Sequence, residues 1–184
     1  MRSDLRDLLR HEFRWTDPEP AGDYLVSDRS GWWRNPQVLE EIGPALGELF
    51  AGSDPTVVVS PEVTGFLLGP LVARALGVGF VEAYKMGAAV ARRPIAEPIT
   101  WADVPADHRG EAQRLGLRSR HLRPGDRVLV VDDWAVTGAQ ARALYAVVAE
   151  LGAEPVGTAV IVSECAGGVA AELRIRGLLS GKDL

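Results

Sequence analysis

This chain has few of the residues that form disulfides or bind metal ions, and it lacks long apolar runs. The 184 residues include one cysteine, Cys165, which excludes an internal disulfide and gives no sign of a secreted, disulfide-rich framework. The histidines His11, His108 and His121 have no metal-ligand spacing to one another or to the cysteine. No apolar run approaches the length of a membrane span, and a formal net charge of −5 argues against a general binder of nucleic acid or anionic membranes.

The composition that remains is that of a globular protein. Hydrophobic residues make up 47% and charged residues 24% of a chain long enough for one domain with a sizeable core. The first ten residues interleave acidic and basic side chains without an apolar segment, which predicts neither a signal peptide nor a transit peptide. We therefore expect a cytoplasmic protein with a single domain over residues 1–184 and with no nucleic-acid or membrane partner.

One stretch in the second half of the chain combines a strand, two acids and a helix. The β-branched run from Val128 to Val131 predicts a buried strand, and it is followed by Asp132 and Asp133 and then by a turn of small residues. A helix is predicted over 138–151, and its N-terminal N–H groups suit a phosphate. Since the carboxylates can accept hydrogen bonds from sugar hydroxyls, this segment alone offers a partner to both halves of a sugar phosphate.

The same design appears earlier in the chain. A strand is predicted over 56–60 and a helix over 66–76, closed by Gly77, and the turn between them offers a second anion site. Further strands are predicted at 78–82 and 155–162, so that strands alternate with helices. This alternation predicts an α/β fold with a doubly wound, mainly parallel sheet, in which ligands bind at the carboxyl ends of the strands.

Two more helices are predicted before the first of these strands. Residues 3–14 have an amphipathic pattern, and residues 1–21 are therefore expected to form an N-terminal helix and linker. Asn35-Pro36 predicts the start of the second helix, and Gly43-Pro44 should kink or divide it.

The segment with the two acids resembles the signature for phosphoribosyl pyrophosphate (PRPP) in type I phosphoribosyltransferases. The similarity lies in Val130-Val131-Asp132-Asp133 and in Thr137-Gly138, whereas Ala139-Gln140 stand where the family usually has Gly-Thr. The resemblance implies that Asp132 and Asp133 hold the 2- and 3-hydroxyls of the ribose. It implies that a loop cradles the 5-phosphate with Val136, Thr137, Gly138, Ala139 and Gln140.

The earlier strand–turn–helix unit resembles the pyrophosphate loop of the adenine-type branch of this family. The resemblance implies that pyrophosphate is bound by Val63, Thr64 and Gly65, together with Lys85 after the next strand. Thr64 stands where adenine-type members have an arginine, so that one neutral donor replaces a charge-assisted, bidentate partner of pyrophosphate.

The acceptor base is expected to bind near a segment in the first part of the chain. Residues 22–36 are similar to the stretch that lines the base pocket of adenine phosphoribosyltransferases, which makes Tyr24, Leu25 and Val26 base-pocket candidates. Trp134, directly after the two acids, is a further candidate for a wall of this pocket.

A basic stretch with many prolines and glycines follows Lys85. Long irregular insertions are usually functional or disordered, and by resemblance residues 88–122 form a flexible hood that closes over PRPP and excludes water. The glutamate of the adenine-type hood is missing at His108-Arg109-Gly110, where Asp107 and Glu111 are nearby candidates. The alternative is an exposed loop whose arginines are in contact with solvent and bind no ligand.

The resemblance as a whole implies a purine-salvage phosphoribosyltransferase that moves the phosphoribosyl group from PRPP to an adenine-like base and releases pyrophosphate. Magnesium is the expected cofactor, held through PRPP and not by direct protein ligands. A homodimer is the expected assembly, with Trp32 and Trp33 in packing or at the subunit contact. No catalytic residue is assigned. The departures at Thr64, at Ala139-Gln140 and in the hood leave two alternatives open, an inactive or weakly active PRPP- or nucleotide-binding regulator and a transferase with a different acceptor.

Overall fold

One seven-stranded sheet carries helices on both faces, and a two-stranded sheet lies beside it. A computed structural model describes residues 2–17, 25–86, 98–104 and 113–184. The helices and strands of these ranges are, in chain order, α1 (Arg2–Glu12), β1 (Arg14–Thr16), β2 (Val26–Asp28), α2 (Ser30–Arg34), α3 (Pro36–Glu48), β3 (Val57–Pro61), α4 (Gly65–Leu76), β4 (Gly79–Lys85), β5 (Ile99–Val104), β6 (Gln113–Arg118), β7 (Arg127–Ala135), α5 (Ala139–Glu150), β8 (Glu154–Ser163), α6 (Gly167–Glu172) and β9 (Ile175–Ser180).

The order of strands in the large sheet is β5-β6-β4-β3-β7-β8-β9. The pairs β4–β3, β3–β7, β7–β8 and β8–β9 are parallel, whereas β6 and β5 extend one edge as antiparallel strands. The predicted mainly parallel sheet and the N-terminal helix are therefore confirmed. The chain passes from β3 to β4 and later returns to β7 on the other side of β3, and ligands bind at such a switch point.

The side chains of β7 alternate between two cores. Leu129 and Val131 face the core formed with α1 to α4, and Val128 and Val130 face the core formed with α5. Trp32 is completely buried in the first core, where its indole N–H donates to the carbonyl oxygen of Leu9 at 2.8 Å. Trp32 is thus a packing residue, and it anchors the N-terminal helix.

The expectation of an irregular stretch at 88–122 is wrong for two of its segments. β5 and β6 pair in register from Ile99 with Arg118 to Val104 with Gln113, and Leu115 and Leu117 are fully buried. Gly116 lies within β6, where a β-carbon would lie 2.5 Å from Cε3 of Trp101. The absence of a side chain at this glycine leaves room for the indole of Trp101 on the neighbouring strand β5. No local sequence pattern predicts this contact. Residues 87–97 and 105–112, including His108-Arg109-Gly110, lie outside the described residues, and the flexibility of the hood stays a prediction.

Gly43-Pro44 was predicted to kink or divide the second helix; the division is wrong, and the kink stays a prediction. α3 runs unbroken from Pro36 to Glu48, capped by the Asn35 side chain as predicted. Packing against α4 explains the continuity, because Ile42 and Leu46 on either side are fully buried and a β-carbon at Gly43 would lie 2.5 Å from the Leu71 carbonyl oxygen. The burial of this stripe outweighs the hydrogen bond that Pro44 cannot make. Among the described residues, no helix has the length and apolar character needed to cross a membrane.

Candidate functional site

The carboxyl ends of β3, β4 and β7 surround a cavity of about 460 Å³, called here the main cavity. Predicted site residues from four separate segments line it together. These residues are Leu25, Val26, Val63, Thr64, Lys85, Asp132, Asp133, Trp134, Val136 and Gln140. The sheet topology therefore brings the expected ribose, pyrophosphate and base subsites to one place.

The two adjacent acids lie within β7 and not after it. The predicted strand ended at Val131, whereas β7 continues to Ala135 because its last residues pair with β8. Consecutive residues of a strand point to opposite faces, so Asp132 and Asp133 acquire different surroundings. Asp133 is buried and forms an ion pair with Arg29, a contact that the sequence analysis did not foresee.

Asp132 has a strongly perturbed carboxylate. Burial, and after it the charge of the neighbouring Asp133, raise the pKa of Asp132 well above its ordinary value, and the Lys85 ammonium partly offsets this rise. One oxygen of Asp132 accepts a hydrogen bond from the backbone N–H of Asp133 at 2.9 Å. A carboxyl group held in this way is poised to exchange hydrogen bonds with a neutral polyol such as ribose.

The loop after β7 has the conformation of an anion cradle. Gly138 has a φ of 71° and directly precedes α5, and Thr137 Oγ accepts a hydrogen bond from the N–H of Ala139 at 3.3 Å. The first turn of α5 otherwise presents unpaired N–H groups, the arrangement that suits a phosphate. A second cavity of about 220 Å³ opens along this loop and is lined by Asp132, Val136, Thr137, Gly138, Ala139 and Gln140.

Gln140 connects this second cavity with the main cavity, since it lines both. Its side-chain oxygen Oε1 is buried and has no hydrogen-bond partner among the described residues. Buried polar atoms normally have a partner, so an unpaired oxygen at this position is consistent with a ligand that donates to it.

The loop after β3 forms the opposite wall of the main cavity. Glu62 joins it to β4, because its carboxylate accepts the backbone N–H of Lys85 at 2.6 Å. Thr64 precedes α4 and its hydroxyl makes no capping hydrogen bond to the helix, while the Val63 side chain is 77% exposed. The loop therefore offers a hydroxyl and helix N–H groups to an anion, and the end of β4 adds the Lys85 ammonium.

The expected base pocket is apolar and partly open. Leu25 and Val26 are 58% and 39% exposed, and Tyr24 lies outside the described residues. The Trp134 ring lies 6.1 Å from the Trp15 ring in an edge-on arrangement, and its indole N–H donates to Glu164 at 2.9 Å. An aromatic wall of this kind, fixed by one hydrogen bond, suits a flat heterocycle.

Five residues that line the main cavity were missed from the sequence, namely Trp15, Ser27, Arg29, Glu62 and Glu164. Glu62 precedes the predicted Val63-Thr64-Gly65 loop and could have been included on that ground. Trp15 reaches the cavity because β1 pairs with β2, which sets it opposite Ser27, and Arg29 and Glu164 arrive from distant segments. Local patterns carry no signal for these contacts.

Within the described ranges, no three His, Cys, Asp or Glu side chains cluster closely enough to hold a metal ion. The carboxylates of Glu62, Asp132, Asp133 and Glu164 nevertheless line one cavity, and oxygen donors of this kind suit Mg²⁺.

Comparisons with known proteins agree with this geometry. Residues 34–173 match the phosphoribosyl transferase domain family. The chain is 34% identical to an adenine phosphoribosyltransferase of Methylococcus capsulatus over 85% of its own length and 86% of the relative. It is 34% identical to a xanthine phosphoribosyltransferase of Brevibacillus brevis over 71% of its length and 64% of that relative. The crystal structure of adenine phosphoribosyltransferase from Rhodothermus marinus is similar with a TM-score of 0.78 at 25% identity, covering 97% of this chain and 99% of the other.

Proposed function

Because the chain belongs to the phosphoribosyl transferase domain family, we propose that it transfers the 5-phosphoribosyl group of PRPP to a nitrogenous base and releases pyrophosphate. An adenine-like purine is the favoured base, in line with the name of the relative that the chain matches over most of both lengths. The proposal also includes a role in purine salvage, a cytoplasmic location and a homodimeric assembly.

The observation that carries this proposal is the convergence of two anion-binding loops on a pair of adjacent acids. Asp132 and Asp133, the loop that contains Val63 and Thr64, and the loop that begins at Val136 all contribute lining residues to the main cavity. PRPP carries three groups that suit these partners, a ribose with two free hydroxyls, a pyrophosphate and a 5-phosphate. Each part of the substrate therefore meets groups of matching chemistry.

In the proposed reaction, the bond from C1 of the ribose to the pyrophosphate oxygen breaks, and a bond from C1 to a nitrogen of the base forms. The pyrophosphate leaves with the electron pair of the broken bond, and the base loses the proton of its attacking nitrogen. Asp132 and Asp133 orient the ribose through its hydroxyls, while Lys85 and the N–H groups before α4 stabilise the charge on the leaving group. No described side chain is assigned as general base.

Magnesium fits this site as a ligand-borne ion. The carboxylates of Asp132 and Asp133 are hard oxygen donors close to the expected position of the ribose hydroxyls, so they would hold the ion through those hydroxyls. When bound, the ion supplies positive charge to the pyrophosphate and so favours its departure.

The acceptor pocket favours an apolar or adenine-like heterocycle. Its walls are Leu25, Val26 and Trp134, and Val136 stands where, by family resemblance, enzymes for 6-oxopurines place an aspartate. An aliphatic side chain at that position gives a 6-oxopurine no polar partner, so hypoxanthine and guanine are expected to be poor substrates.

Calorimetric titration with PRPP and magnesium tests the proposal on the wild type and on the double variant Asp132→Asn/Asp133→Asn. We expect magnesium-dependent binding by the wild type and its loss in the double variant, followed by turnover with adenine in a panel of bases. Absence of PRPP binding by the wild type would refute the function, and tight binding without turnover on any base would identify a regulator instead. Light scattering on the purified chain tests the homodimer.

A further inference from the structure

Arg29 is the cation of the main cavity to which the proposed reaction assigns no role. It lies between β2 and α2, lines the main cavity and forms an ion pair with Asp133. The Arg29 side chain is 30% exposed and the Asp133 side chain 10%, so the guanidinium reaches into the cavity without being sealed in the core. A buried structural pair would have both partners enclosed, which is not the case here.

The charges around the main cavity are unbalanced for a polyanionic substrate. Among its described lining residues the cations are Arg29 and Lys85, and they face the carboxylates of Glu62, Asp132, Asp133 and Glu164. PRPP adds the negative charges of its 5-phosphate and its pyrophosphate to those of the carboxylates. Binding therefore requires that the available cations pair with the substrate. Lys85 supplies a compact point charge, whereas a guanidinium supplies a planar fork of donors that matches phosphate oxygens.

The pair of Arg29 with Asp133 is also in competition with the proposed ribose site. The guanidinium donates to Oδ2 of Asp133, a carboxylate that the ribose hydroxyls are expected to use. A hydroxyl that donates to this oxygen replaces the N–H of Arg29, and the displaced guanidinium then needs a new anionic partner inside the cavity. Pyrophosphate is the anion expected beside Val63 and Thr64, which line the same cavity.

We propose that Arg29 is a PRPP-binding residue whose ion pair with Asp133 is exchanged on substrate binding. The ribose hydroxyls take the place of Arg29 on Asp133, and the guanidinium pairs with the pyrophosphate group. This inference rests on the proposed function, and it names a residue that supplies charge on the side of the cavity where the loop after β3 contributes only the neutral Thr64.

The test compares three ligands, PRPP, ribose 5-phosphate and pyrophosphate, in calorimetric titrations with magnesium. Removing a charged hydrogen-bonding partner in Arg29→Ala should weaken PRPP and pyrophosphate about 10- to 100-fold. Ribose 5-phosphate should change by less than about 3-fold or bind more tightly, since Asp133 is then free for its hydroxyls. Arg29→Lys should keep part of the affinity for PRPP. Arg34→Ala is the matched control, because this exposed arginine lies on the adjacent helix α2 and outside the cavity.

Equal weakening of PRPP and ribose 5-phosphate in Arg29→Ala would overturn the proposal, since it would show that Arg29 only supports Asp133. Unchanged PRPP binding would overturn it as well. The double variant Arg29→Ala/Thr64→Arg gives a second readout, in which a guanidinium on the loop after β3 should restore part of the PRPP affinity. A wild type that does not bind PRPP would instead refute the proposed function, so the two failures are distinguishable. Thermal unfolding of each variant identifies any that fail to fold, and Arg29→Gln then replaces Arg29→Ala.

Discussion

The two strand–loop–helix units at the centre of the sheet share a backbone plan and differ in the side chains at their strand ends. β3 leads into α4 and β7 leads into α5, and the strands pair in parallel with Val57 beside Val128 and Val59 beside Val130. Two residues after this last pair, β3 has Pro61 and β7 has Asp132. β3 then ends, whereas β7 continues to Ala135.

The helix starts of the two units also differ. α4 is preceded by Thr64 in a right-handed conformation with φ of −65°, and α5 is preceded by Gly138 in a left-handed one with φ of 71°. Both starts present helix N–H groups to the same cavity region, so either suits an anion. Under the proposed function, the backbone plan that the two units share supplies the N–H groups for phosphate, whereas the acids at the end of β7 distinguish the loop that also receives the sugar.

The largest effects are expected when the glycine at each helix start is substituted, and these substitutions test whether the two helix starts differ. In Gly138→Ala, the left-handed backbone and a β-carbon 2.7 Å from Leu173 Cδ1 should distort the loop and destabilise the protein by about 1–3 kcal/mol. We expect PRPP affinity to fall about 10- to 100-fold, measured by calorimetry. In Gly65→Ala, where φ is not positive and the new contact is 2.9 Å from Ser60 Cβ, the loss should stay under about 10-fold.

Gly167→Ala is the control, because a β-carbon at Gly167 has nothing within 4 Å. Equal losses of affinity in Gly138→Ala and Gly65→Ala would show that the left-handed turn has no special role. The claimed difference between the two helix starts would then be wrong.

A second comparison concerns the two neighbouring acids of β7, whose effects on stability should have opposite signs. Because the pKa of folded Asp132 is raised, its ionised form is disfavoured in the folded protein, and stability is lost as the pH rises through that pKa. Asp132→Asn should therefore raise the free energy of unfolding at pH 7 by roughly 0.5–2 kcal/mol, and the gain should disappear below the unfolded pKa of about 4. Asp133→Asn breaks the ion pair with Arg29 and should lower the free energy of unfolding by about 1–3 kcal/mol at pH 7.

Urea unfolding at pH 7 and at pH 4 measures both effects. Ser60→Ala in β3 provides the control, since its buried hydroxyl has no partner among the described residues and its removal should change the stability by less than about 1 kcal/mol. A destabilising Asp132→Asn would contradict the assigned environment of that carboxylate.

The smallest effects are expected for the hydrogen bond between Trp134 and Glu164. Among the described residues, the loop after β3 has no equivalent hydrogen bond. Trp134→Phe and Glu164→Gln should each change stability by less than about 1 kcal/mol, because this contact is exposed. Both variants should raise the KM for the acceptor base about 2- to 5-fold and leave kcat unchanged, as expected for a residue that positions a pocket wall. Steady-state kinetics with varied base measures the split.

Gly181→Ala gives an independent check on this contact. A β-carbon at Gly181 would lie 1.9 Å from Oε1 of Glu164, so this variant displaces the carboxylate without altering its chemistry. Glu172→Gln is the control, because Glu172 pairs with Arg142 on the surface and does not line the cavity. An unchanged KM in all three variants at positions 134, 164 and 181 would exclude a positioning role for Glu164.

Much of the fold was predictable from the sequence because its signals are local. The β-branched run before Asp132, the capping Asn35-Pro36 pair and the terminal Gly77 each act within a few residues, and all were observed where the pattern predicted them. The expectations failed where a distant contact overrode a local signal. Gly116 admits the indole of Trp101, and packing against α4 keeps α3 continuous through Pro44.

By itself, the sequence determined that the chain has two strand–loop–helix units and a pair of adjacent acids, because each of these features is encoded in consecutive residues. Only the tertiary structure decided which charges face those acids. Arg29 and Asp133 are 104 positions apart, and Trp134 and Glu164 are 30 apart, so no periodicity or local motif encodes either contact. Glu164 reaches Trp134 because β8 pairs with β7, and Arg29 reaches Asp133 from the segment between β2 and α2; both placements depend on burial across the whole core.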